Sequence, residues 1–261
     1  MREITLLGDE RAVSDVLGFV LVFSLVLTTV ALVYVTGFDS LQTARDAEER
    51  QNVERAFDIL DDNLNEIVTG DSPIRGTEIK VGTSRMYNGD SISVTVNVTD
   101  DSGNTETTQI DTEPFVYETT SGQQVIYVNG AVLRSNVGGS SFVNEPDIRV
   151  THDTIFMPLV ETRIPVDEVS GVSGSTYVIR GESENSTLLA YNNLDSTNDD
   201  PPYTVDFRID TPRTGVWERY CDFHPDISVV TVQDGDFVSC EFDSSVQSVI
   251  IQHEEISLRI N

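Results

Sequence analysis

Lysine is almost missing from this chain. Lys80 is its single lysine; arginine makes up the rest of its 16 basic residues, against 44 acidic ones, and the formal charge is −28. A surface so rich in carboxylate lacks the basic patches that hold phosphate, which argues against a nucleic-acid-binding role. In molar salt the Debye length falls to about 3 Å, so self-repulsion among the carboxylates is largely screened. The acid-rich, lysine-poor composition looks like that of a halophile's protein. Histidine is also scarce: His152, His224 and His253 are the three imidazoles, and none lies in a catalytic string. No Gly-x-Ser-x-Gly, phosphate loop or dinucleotide fingerprint occurs, so no catalytic residue and no cofactor is assigned. The two cysteines, Cys221 and Cys240, have no further ligands at zinc spacing. They are either a disulfide, which an extracellular setting favours, or two buried thiols.

Long hydrophobic runs are absent too, with one exception. From Val16 to Phe38 there is no charge, and a helix of that length just exceeds the roughly 30 Å hydrocarbon core of a bilayer. The run is too long for a secretory signal, whose start is also basic; here Arg2 and Arg11 are outnumbered by Glu3, Asp9 and Glu10. Just ahead of it stands Arg11-Ala12-Val13-Ser14-Asp15-Val16-Leu17-Gly18. Cleavage between Ala12 and Val13 would remove a short leader and leave the apolar helix on the mature chain.

This string and the helix behind it resemble the class III signal of archaeal type IV pilins and pilin-like proteins, especially those of haloarchaea. The resemblance covers about the first forty residues. It implies a prepilin peptidase that cuts after Arg11 and Ala12, with Val13 as the new N-terminus. Asp15 stands where many members of that family have proline. It implies an exported, membrane-held subunit whose partners are the membrane, the peptidase and, in a filament, other pilin subunits. Asp15, two residues past the new amine, either pairs with it or sits in the headgroup layer. Gly18 belongs to the same helix. The alternative is a monomeric, membrane-anchored binding module, an adhesin or a solute receptor.

The next segment is polar but patterned. Val53, Phe57, Leu60, Leu64 and Ile67 recur at helical spacing, no glycine or proline interrupts residues 38–68, and Gly70 and Pro73 end the element. The spacing predicts one continuous helix, a rod of about 80 Å at 1.5 Å per residue. Its stripe packs either on the chain's own β domain or on neighbouring subunits. Ser24 and Thr28, one turn apart, either let helices approach or bond back to their own backbone.

From Thr77 the period changes to two. Ile92–Val98 alternates cleanly, Thr105–Ile110 returns after an acidic turn, and Asn129-Gly130 between two apolar runs signals a type I′ hairpin. Further strands are expected at 148–151, 155–160 (an edge at best, because of Pro158), 176–180, 187–191, 205–209, 227–232, 237–242, 246–251 and 256–260. The fold class expected is α+β: a leader (1–12), a transmembrane helix (13–38), an amphipathic stalk (39–70) and an extracellular antiparallel β-sandwich-like domain (71–261). Arginines flank the apolar run on both sides, so charge sets no orientation. The outside placement of the C-terminal part rests on the resemblance, the cysteines and two N-glycosylation strings, at Asn97 and Asn185. Calcium at Asp100, Asp101 and Asn104, or at Asp195, Asp199 and Asp200, lacks the EF-hand spacing, and no metal is assigned.

Overall fold

A computed structural model describes residues 10–82, 84–151, 153–164, 168–170, 175–192, 203–243 and 245–261. In chain order its elements are α1 (Glu10–Val68), β1 (Ile74–Val81), β2 (Arg85–Asn88), β3 (Ile92–Thr99), β4 (Thr105–Thr112), β5 (Phe115–Glu118), β6 (Gln124–Val128), β7 (Ala131–Asn136) and β8 (Gly139–Asn144). There follow β9 (Arg149–Val150), β10 (Thr154–Arg163), β11 (Glu168–Ser170), β12 (Ser175–Asn192), β13 (Thr204–Asp210), α2 (Thr214–Phe223), β14 (Ile227–Gln233), β15 (Phe237–Phe242) and β16 (Ser248–Ile260). The chain divides into two units, one ending at Glu49 and the other beginning at Arg50.

The first unit is the N-terminal part of α1. Its apolar side chains from Val16 to Phe38 all face outward. Thr28 donates its hydroxyl to the Ser24 carbonyl (2.7 Å), and Thr36 does the same to Leu32 (2.9 Å), so these hydroxyls are spent on their own helix. The helix runs through Gly37 without a break.

The second unit takes in the rest of α1. Val53, Phe57, Leu60, Leu64 and Ile67 are each no more than 2% exposed, packed against residues of two sheets. The stripe is therefore filled by the chain's own β part. The helix stops at Gly70, which adopts φ +78° and donates its N–H to the Ile67 carbonyl; Asp71 caps back to Glu66.

Three sheets follow. The first runs β1-β12-β16-β10-β9, the second β11-β2-β5-β6-β7-β8 and the third β14-β15-β13-β3-β4. Pairing is antiparallel throughout except between β10 and β16, which run parallel over Thr154–Arg163 and Ser248–Ser257. The second sheet is covered on both faces. Phe115, Tyr117, Val125, Tyr127 and Val132 pack with α1, while Val116, Ile126 and Leu133 point to the other core, shared with the third sheet and α2.

Several elements differ from the sequence expectation. The two strands expected at 176–180 and 187–191 are one strand, β12. Its polar middle, Gly181–Ser186, stays in register with β16 by one shift between Ser183 and Asn185. A Cβ on Gly181 would lie 2.4 Å from the Leu64 side chain, so this glycine marks where α1 crosses the sheet rather than a loop. The strands expected at 246–251 and 256–260 likewise merge into β16. Pro158 sits inside the ten-residue β10. It is tolerated because β9 pairs only with Ile155 and Phe156, leaving the rest of that side free. That free side is satisfied by side chains instead: Val160 N–H donates to Asn129 Oδ1 (2.9 Å) and Thr162 N–H to Thr112 Oγ1 (3.0 Å). Asn129 and Gly130 take the positive φ angles of the expected hairpin, 47° and 68°.

Candidate functional site

Asp15–Phe38 has a mean hydropathy of 2.7 and none of it is buried within the protein. By length and apolarity it is able to cross a membrane. In a soluble protein so large an uninterrupted apolar surface would demand a cover. Asp15 lies exposed at its start, and nothing stands within 4 Å of where a Gly18 side chain would be. Arg11, Ala12 and Val13 belong to the first turns of α1, and their side chains lie outside the described residues, as do residues 1–9 of the leader.

The remaining sequence candidates fall in the β-rich unit. Cys221 and Cys240 form a disulfide, Cα–Cα 6.1 Å, that ties α2 to β15 inside the core. Asn97 is half-buried on β3; its amide donates to Asp206 (2.9 Å) and accepts from Thr107 (2.8 Å). Asn185 is exposed beside the β12 irregularity and donates to Glu255 (2.9 Å). Asp100 closes its own turn, accepting from the backbone of Ser102 and Asn104 and from the Asn104 amide. These bonds hold its carboxyl below the usual range. Asp195, Asp199, Asp200 and His152 lie outside the described residues.

Two further clusters were hidden from sequence reading because their members come from distant segments. On β10 and β16, Glu161, His253 and Glu255 bring one ligand atom each within 4.8 Å of one another. His253 Nε2 is 3.1 Å from Glu161, and the Arg163 guanidinium is 2.7 Å from Glu161 and 3.6 Å from Glu255. Arg163 thus already supplies the positive charge between the carboxylates. The second is a cavity of about 520 Å³ whose lining includes Asp61, Asn65, Tyr127, Phe142, Glu145 and Asp147. Burial pushes the Asp61 carboxyl up to about 7, against a hydrogen bond from Asn144 and with Asp62, Asp58 and Asp147 adding repulsion. Asn144 bridges Asp58 (2.7 Å) and Asp61 (3.0 Å). Of the described imidazoles, His253 meets a carboxylate and His224 rests against Tyr220, with Asp226 at 3.9 Å. Neither has a hydroxyl or thiol nucleophile among its hydrogen-bond partners.

Fold and surface together define a β-rich protein carrying one N-terminal helix long and apolar enough to span a bilayer. The chain belongs to a family of unknown function (DUF7289), whose pattern matches residues 11–259 and so takes in that helix and the β-rich part alike. No curated protein and no solved structure matches it.

Proposed function

We propose that this chain is an exported, pilin-like surface subunit. It is held in the membrane by residues 13–38, and its sandwich-like β domain stands outside the cell. The observation that carries the reading is the wholly exposed apolar surface of Asp15–Phe38, directly behind Arg11-Ala12-Val13. The disulfide supports an oxidising, extracellular setting for the β domain. In this reading a prepilin peptidase cuts after Ala12, and the helix becomes the membrane and assembly element. Of the two glycosylation strings, Asn185 is the better acceptor, because it is exposed while Asn97 is locked into a strand by two bonds. Mass spectrometry of the mature protein from a host with the peptidase is expected to find Val13 first. Arg11→Ala is expected to retain the leader and migrate more slowly. An unchanged band for that variant counts against processing here.

The second reading, a monomeric anchored binding module, draws on one observation. The stripe Val53–Ile67 is consumed within its own domain and leaves no apolar face there for a neighbouring subunit. Surface electron microscopy with the gene deleted and restored separates the two, since only the first predicts lost fibres.

A further inference from the structure

Arg213, the residue before α2, stands apart from the other half-buried arginines among the described residues. The other half-buried arginines, Arg50, Arg75 and Arg208, each face a carboxylate: Glu54, Glu66 and Asp210. Arg213 is half-buried and has no ion pair with any described carboxylate; its guanidinium donates to one neutral acceptor, Gln124 Oε1, at 3.0 Å. Burial pulls its guanidinium below the usual arginine range, so the charge is kept at a desolvation cost.

The nearest acid network explains why Arg213 is left uncompensated. Glu118 accepts from the Gln124 amide (2.7 Å), from the Tyr87 hydroxyl (2.8 Å) and from Arg85 (3.0 Å). These donors hold its carboxyl below the ordinary range, while burial, reinforced by the bond to Glu118, raises Tyr87 to about 12. Glu118 is thereby spent on Arg85, and Gln124 sits between it and Arg213 as a neutral spacer. The charge of Asp90, which is exposed, offsets part of that desolvation.

Arg213 lines a cavity of about 400 Å³, within the range of small-ligand pockets. Its lining also holds the apolar Ile92, Pro114, Val116 and Pro212, together with Tyr87, Asn88 and Asp90. Gly89 keeps one wall open: a Cβ there would approach Pro114 and Val116 to 3.3 Å. In this mixed lining, a desolvated cation beside apolar side chains matches a ligand with one anionic end and a hydrophobic body, its acid group competing with Asp90 for Arg213. A planar guanidinium with free donors suits a carboxylate, which it grips in a fork.

We propose that the cavity between the β2–β3 turn and the start of α2 binds a small organic carboxylate, its acid group on Arg213 and its apolar, ring-sized body against Ile92, Pro114 and Val116. The site is independent of whether the chain builds filaments. It is tested on the full chain in detergent micelles by ligand-observed NMR, with 3-phenylpropionate and its neutral amide, 3-phenylpropanamide, as probes. The acid is expected to saturate with a Kd of about 10 mM or tighter, and the amide not to saturate. Arg213→Gln, with an unchanged thermal melt, is expected to weaken the acid at least about tenfold, the loss of a charge-assisted bond. Asp90→Asn, which removes a competing charge at the surface, is expected to tighten it. Equal binding of acid and amide, equal binding to wild type and Arg213→Gln, or no saturation at all overturns the proposal. If Arg213→Gln does not fold, Asp90→Asn decides: an affinity no higher than wild type overturns it.

Discussion

Asp61 carries a carboxyl that this fold pushes far above the ordinary range. It projects from the helix that also carries the buried stripe, but toward the acidic cavity, where burial holds its carboxyl near pH 7. In the unfolded chain the same group loses its proton near pH 4. Between those values the folded state binds the extra proton, so this group's contribution to stability falls as pH rises through the window and levels off above about 7. Asp61→Asn keeps an oxygen to accept the Asn144 bond and removes the ionisation. Thermal melts of the two proteins are expected to coincide near pH 4 and to diverge in favour of the variant by about pH 8. A gap that stays constant with pH would show that Asp61 titrates normally. None of this was visible in sequence, where Asp61 is one acid among many; its partners Asn144 and Asp147 arrive from the other end of the second sheet.

Among elements, α2 shows what sequence periodicity misses. Its buried residues, Val216, Trp217, Tyr220 and Cys221, fall at helical spacing, but Pro212 and Gly215 bracket its start and the run is only ten residues long. A reader searching for strands passes over it. The strands themselves were legible where one face met water, as in Ile92–Val98. They were illegible where a polar stretch was held by backbone pairing alone, as in Gly181–Ser186 of β12. There the ladder to β16, not side-chain alternation, decides the conformation. The long α1 stripe and its stop at Gly70 were readable because both rest on local spacing and a single positive φ. The disulfide fixes α2 to β15 across a loop of 19 residues in sequence separation. Cys221→Ser with Cys240→Ser is expected to lower stability by about 3 kcal/mol, model-dependent, read by denaturant melts. The same loss is expected on adding reductant to the wild type, and no change in either would remove the bond from the stability account.

At the scale of the whole molecule, the boundary that matters lies within α1 rather than at its end. The expected stalk, 39–70, is divided: from Arg50 onward the helix belongs to the β-rich unit. Burying Val53, Phe57, Leu60, Leu64 and Ile67 contributes about 1.5–3 kcal/mol each. Their sum matches the roughly 5–15 kcal/mol net stability of an ordinary domain. A chain that starts at Arg50 is therefore expected to be soluble without detergent and to melt cooperatively. One that starts at Asp71 is expected to aggregate, because it exposes the surface those side chains cover. Circular dichroism and light scattering on the two truncations check this; a well-folded product from Asp71 would make the stripe dispensable.

From Arg50 onward α1 is rooted by Phe57 and Leu64 in the interior of the β part. Pulling that segment away would lay open the innermost packing of the unit, so it cannot be extracted without breaking open the globule around it.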